Sequence, residues 1–157
     1  MLTVAFKEWA AICAALASGR QSLILRKGGI SEVGGEFRPE HDRFWLYPTY
    51  FHEQQRAGIK AGEQGFLDAA EALRPPAGIV RLSHSVEVTG VEYCRDLDEV
   101  LKLDAEHIWS EATVRQRFAY RTPGLYLFRV KVIAEAPIDL VERPEYAGCK
   151  TWVPLGA

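Results

Sequence analysis

Val80, Leu82, His84, Val86 and Val88 alternate with Arg81, Ser83, Ser85, Glu87 and Thr89. A period of two puts the first set on one face of a strand and the second on the other. A run of that length commits the chain to a sheet, bent or bulged where Gly90 interrupts it. Residues 124–134 predict a second strand, with Tyr126, Phe128, Val130 and Val132 turned inward and Arg129 and Lys131 outward. Two short helices are expected between them, over 96–103 and 110–119, with Asp96 and Ser110 as N-caps. In the second helix Val114 and Phe118 fall one turn apart on the buried side, and Arg115 points away with Glu111 as its exposed partner. Short strands near 137–141 and 151–154 complete the sheet.

The first half of the chain reads as one helix, two strands and a further helical stretch. Phe6, Trp9, Ala10, Cys13 and Leu16 recur at helical spacing over residues 5–18, and Gly19 follows as a left-handed stop. Leu23, Ile24 and Leu25 form a buried strand that delivers Arg26 and Lys27 to the Gly28-Gly29 turn. Residues 31–42 read as a loop and Phe44–Tyr47 as a short strand ended by Pro48. A helical stretch after Thr49 is interrupted by Gly58, Gly62 and Gly65, becomes clear over 65–73 and stops at Arg74-Pro75-Pro76. This order lacks the regular alternation of a doubly wound fold. It fits an α+β chain with a small mixed, curved sheet or barrel and peripheral helices.

At 157 residues, 48% hydrophobic and 25% charged, the chain is expected to form a single domain over 1–157. A net charge of −2 removes any global electrostatic case for nucleic acid or an anionic membrane, so such binding must rest on a local patch. The segment from Arg20 to Lys60 supplies one, with seven Lys/Arg against five Asp/Glu. Cys13, Cys94 and Cys149 lie far apart, form no C-x-x-C pair and read as reduced thiols. No stretch approaches the roughly 20 apolar residues of a membrane span, and the N-terminus lacks a secretory pattern. A cytoplasmic protein with no membrane contact is expected.

Arg26, Lys27, His41, Arg43 and His52 crowd among Phe44, Trp45, Tyr47, Tyr50 and Phe51, a combination suited to a polar, flat or anionic ligand. Arg26 and Lys27 stand beside a turn where Gly28 and Gly29 let backbone amides approach an anion. Aromatic rings near the surface stack on a base or a guanidinium. A second cluster sets Arg115, Arg117 and Arg121 next to Trp109, Phe118 and Tyr120, and Arg117, Arg121, Arg129 and Lys131 extend a phosphate-tracking surface. His41 and His52, each followed by an acid, raise acid-base or metal chemistry with Glu32 or Asp42. Their spacing specifies no metal, and no hydrolase motif of the G-x-S-x-G or H-E-x-x-H type occurs.

Lys7-Glu8-Trp9, the Arg26-Lys27-Gly28-Gly29-Ile30 turn, Phe37 with His41, and Pro48-Thr49-Tyr50 followed by His52 resemble a bacterial family catalogued as domain of unknown function 1802. The resemblance runs over nearly the whole chain, to Trp152, and implies no activity. The chain is more distantly similar to the PUA-like superfamily with its ASCH and EVE branches, small barrels that bind RNA or modified bases. Gly19, Ser22 and Arg26 match the ASCH pattern G-x-K-[ST]-x-E-x-R, with Gln21 in place of the lysine and Ile24 in place of the glutamate. That similarity implies a PUA-like β-barrel.

The leading expectation is a protein that binds RNA, DNA or a nucleotide-like ligand. Arg26, Lys27, Arg43 and Arg117 contact phosphate, Gly28 and Gly29 allow close approach, and Trp45, Tyr47 or Tyr50 stacks on a base. The first alternative is a nucleotide-processing enzyme, phosphodiesterase-like, that uses His41 or His52 with Glu32 or Asp42. No cofactor is predicted, although that alternative leaves a divalent metal open. The second alternative is a protein-interaction subunit.

Overall fold

The computed structural model describes residues 2–27, 30–33, 36–148 and 151–156, with backbone alone over 30–39. Gly28, Gly29 and Cys149 lie outside the described residues, as do the side chains of Glu32 and Phe37.

Strand β1 (Val4–Trp9) leads directly into helix α1 (Ala10–Ser18). The helix expected over 5–18 therefore begins five residues late. In β1 the extended backbone sends Ala5 to one side and Phe6 to the other, and each joins a different buried cluster. Helix α1 is apolar nearly all round, with Ala10, Ala11, Ile12, Cys13, Ala15 and Leu16 buried, as expected of a helix in the middle of a core. It starts without a cap from its own N-terminal residue. Gln55, fully buried, accepts from Ala11 N at 3.2 Å and donates to Thr49 O at 2.6 Å. Gly19 ends the helix at φ 84°, where a side chain is disfavoured.

Strand β2 (Leu23–Arg26) follows, then a hairpin of β3 (Ile30–Val33) and β4 (Glu36–Pro39) where a loop was expected. Strand β5 (Arg43–Thr49) continues through Pro48, which pairs in parallel register with Glu8. Helices α2 (His52–Gly58) and α3 (Gln64–Ala72) precede the long β6 (Ile79–Cys94). Next come α4 (Leu97–Leu101) and α5 (Glu111–Ala119), whose caps are Asp96, accepting from Asp98 N, and Ser110, accepting from Thr113 N. Residues 124–134 and 137–141, expected as two strands, form one, β7 (Leu125–Val141), and β8 (Trp152–Pro154) completes the set.

Six strands form one open sheet in the order β2-β7-β6-β5-β1-β8. Among the described residues β1 and β5 pair in parallel and the sheet's other pairs are antiparallel. The long β6/β7 ladder shifts register between Leu82 and His84 and again between Val88 and Gly90, and such irregularities bend and twist a strand. The shift at Gly90 was expected. The one before His84 divides the alternating run, so that Val80 and Leu82 join one cluster and Val86 the other. The larger cluster unites Phe6, Phe44, Leu46 and β2 with α1, Leu67 of α3, and Val114 and Phe118 of α5. The smaller one, on the other face, holds Ala5, Trp45, Tyr47, Tyr146 and Val153. The result is an α+β fold with a mixed, curved, open sheet and helices packed against it.

His107 is 1% exposed, and its Nδ1 has no hydrogen-bond partner among the described residues. Burial lowers its pKa to about 4, Lys60 and Arg20 add to the shift, and Asp104 and Glu106 oppose it. The unfolded chain therefore binds a proton at His107 that the folded state refuses. Stability from the neutral ring is complete above the ordinary value of about 6.5 and is lost as pH falls toward the folded value. Urea unfolding at pH 7 and near pH 4 is expected to differ on the order of 3 kcal/mol through this group, and His107→Phe flattens that part of the profile.

Candidate ligand cleft

The curled sheet brings its two edge strands within side-chain reach of each other. Arg26, at the end of β2, donates from Nη2 to Thr151 Oγ1 at 3.0 Å, just before β8, and from Nη1 to Lys7 O at 3.5 Å in β1. Its guanidinium lies 4.9 Å from the centre of the Phe6 ring. Glu8 comes from the same face of β1 as Phe6. Its Oε1 accepts from Trp9 N at 2.8 Å, and its Oε2, 3.9 Å from Arg26 Nη1, has no hydrogen-bond partner among the described residues. The Glu8 side chain is 1% exposed. Glu8 thus reaches Arg26 from a strand, within the stretch 5–18 for which the spacing predicts a helix.

Arg117 of α5 lies beyond this pair. Its guanidinium carbon is 4.8 Å from the Trp9 ring and 5.2 Å from Trp109, so two indoles flank one cation. Its Nη1 is buried without a hydrogen-bond partner among the described residues. Burial pulls the Arg117 pKa below the ordinary arginine value; Glu8 opposes that shift and Arg26 adds to it. Two guanidiniums thus share one buried carboxylate, which leaves a positive excess.

Lys27 fastens the segment after α5. Its ammonium donates to Phe118 O at 2.7 Å, to Gly124 O at 2.7 Å and to Thr122 O. A cation beside the last carbonyls of a helix is favourably placed, and these bonds occupy its three donors. Arg26, Lys27 and Arg117 open onto two adjoining hollows of about 560 and 680 Å³, which share Lys27, Arg117 and Tyr120. Trp9, Gly58, Thr113 and Gln116 wall the first; Thr151, Arg121 and Tyr126 wall the second.

The other candidate residues lie elsewhere. Arg43 is exposed and pairs in register with Glu87. It stands at the opposite end of β5 from Tyr50 and His52, roughly 20 Å away by strand rise. Trp45 and Tyr47 are buried in the smaller cluster, where Tyr47 meets Tyr146 edge-on at 6.3 Å. Burial raises the Tyr47 pKa, with Glu142 and Tyr146 adding to it. Tyr50 lies beneath Arg74 at 4.7 Å and shares with Tyr47 a separate hollow of about 370 Å³. His41 packs edge-on against Trp152 at 4.9 Å, and Asp42 is exposed. His52 pairs with Glu71. Among the described residues no group of three or more His, Cys, Asp or Glu is placed to hold a metal ion, and no helix is long and apolar enough to cross a membrane.

Trp9, Gly58, Thr113 and Gln116 line the cleft without having been singled out from the sequence as ligand contacts, whereas the sequence sets Trp109 next to Arg117. Helical spacing places Trp9 on a helix stripe, whereas the alternation Phe6, Glu8 against Lys7, Trp9 is the signal for the strand. A Cβ at Gly58 would lie 2.5 and 2.7 Å from the outer atoms of the Trp9 ring, whereas one at Gly62 meets nothing within 4 Å. Gly58→Ala is therefore expected to lower the urea midpoint by an amount equivalent to about 1–3 kcal/mol, with Gly62→Ala near neutral as the control.

A family model described as Domain of unknown function (DUF1802) matches residues 5–157. The chain belongs to that family. No curated protein matches it. Its fold is similar to the crystal structure of ASCH from Zymomonas mobilis, at 16% identity and a TM-score of 0.50, covering 82% of this chain and 66% of that one. A tyrosine-to-phenylalanine mutant of the Zymomonas mobilis protein superposes at 16% identity and a TM-score of 0.53, covering 86% and 73%. The chain thus spans just under two thirds of the first structure's length, and at this identity the likeness is one of fold.

Proposed function

We propose that this chain, as a member of that family, binds RNA or a nucleotide-like ligand in the cleft between the β2 edge and α5. The observation that carries the reading is Arg117, a cation flanked by two indoles whose buried Nη1 has no hydrogen-bond partner among the described residues. A desolvated donor without an acceptor is costly, and an anionic oxygen entering the cleft supplies one. Arg26 lines the same hollow, and its guanidinium has five N–H donors, of which the described bonds to Lys7 O and Thr151 Oγ1 use two. The ASCH-like fold supports the same ligand class, because the PUA-like superfamily it resembles binds RNA or modified bases.

The contacts differ in part from those expected of the sequence. Tyr120, 57% exposed and shared by both hollows, replaces Trp45 as the ring available for stacking. Lys27 acts through its field and by fastening residues 118–124, because its donors are already engaged. Arg43 stands outside the cleft and contributes no contact.

In fluorescence anisotropy against single-stranded RNA and DNA and duplex DNA, binding is expected to weaken with added salt. Arg117→Gln and Arg26→Gln are each expected to weaken it about tenfold or more. Arg43→Gln is expected to leave it unchanged. Full affinity in a folded Arg117→Gln variant contradicts the proposal.

A further inference from the structure

The cleft carries more positive charge than a phosphodiester needs. Arg26, Lys27, Arg117 and Arg121 line the two hollows, and no carboxylate lines either one among the described residues. Glu8, buried and 3.9 Å from Arg26, has its carboxylate already shared between two guanidiniums.

Arg121 is the informative member. It has φ 60°, the left-handed region that a side chain without glycine's freedom rarely adopts. Such a conformation persists only where the surroundings impose it. They do so here: Lys27 holds the carbonyls of Phe118, Thr122 and Gly124 on both sides of Arg121. The guanidinium then rests 5.1 Å over the Tyr120 ring, against a π-face instead of an acid, at the wall of the wider hollow. Arg26 and Thr151 line the same hollow, and Arg117 is common to both hollows.

The narrower hollow is different in character. Apart from the shared cations it presents Trp9, Gln54, Thr113 and Gln116, which are neutral groups with hydrogen-bonding amides and a hydroxyl. Charge is therefore concentrated at one end of the cleft.

We infer that the wider hollow takes a terminal phosphate monoester, gripped by Arg26, Arg117 and Arg121, while the attached nucleoside occupies the narrower one. This rests on the ligand reading above and narrows it to phosphorylated ends and mononucleotides. A monoester carries about −1.5 to −2 charges at neutral pH, against −1 for a diester within a strand. Only the monoester has three peripheral oxygens to meet three guanidiniums.

The test is anisotropy competition with one short RNA in three forms, bearing a 5′-phosphate, a 3′-phosphate or hydroxyls at both ends, and with a nucleoside monophosphate as competitor. One phosphorylated form is expected to bind about tenfold tighter than the hydroxyl form, and the monophosphate to displace it. Arg121→Ala is expected to bring the forms to within about twofold of each other, while Arg115→Ala, on the outer face with Glu111, preserves the preference. Equal binding of all three forms overturns the monoester assignment and leaves the ligand reading standing. Absence of binding to every form overturns both. A preference retained in Arg121→Ala overturns the role of Arg121.

Discussion

An open sheet that curls back on itself must join its edges by something other than backbone hydrogen bonds, and in this chain the joint is Arg26. From the last position of β2 it reaches β1 and the residue before β8 through Lys7 O, Thr151 and the Phe6 ring. Glu8 lies beneath that span, buried, with one carboxylate oxygen lacking a hydrogen-bond partner among the described residues. A buried carboxylate is tolerable only beside compensating charge, and the seam supplies it in Arg26 at 3.9 Å and in the field of Arg117. The joint that holds the fold together is thus also the floor of the cleft. Its charge is unbalanced there because two cations answer one acid.

The helices add the walls. Helix α5 carries Arg117 inward between Trp9 and Trp109, and α2 ends at Gly58, where the absence of a side chain admits the Trp9 ring. Lys27, next in sequence to Arg26, then secures the segment that follows α5. Two adjacent residues of β2 and its end therefore organise both sides of the site: one spans the sheet seam, the other anchors the helix end. This arrangement restrains the guanidiniums before any ligand arrives, which reduces the ordering cost of binding.

Much of this was legible in the sequence. The alternation at 79–89 identified β6, Asp96 and Ser110 marked the starts of α4 and α5, and Gly19 marked the end of α1. The arginines that line the cleft, Arg26 and Arg117, were singled out from their neighbours. Other parts were hidden for physical reasons. Phe6 and Trp9 are spaced as in a helix, yet both belong to β1, which runs directly into α1, and a periodicity test cannot separate a short strand from the helix it enters. The rings at Trp45 and Tyr47 looked available for stacking because too many aromatics crowd one strand. The second face of the sheet has its own small core, and it absorbs them. His41, Arg43 and His52 are close in sequence, but an extended strand carries the first two far from the third.

The central claim is that the Arg117 guanidinium, whose buried Nη1 has no hydrogen-bond partner among the described residues, marks with Arg26 where an anion binds. A crystal structure determined with a nucleoside monophosphate tests it most directly. The account predicts phosphate oxygens within hydrogen-bonding distance of Arg117 Nη1 and of Arg26. Ligand seated instead in the hollow of Tyr47 and Tyr50 on the other face of the sheet, with Arg117 untouched, would contradict it.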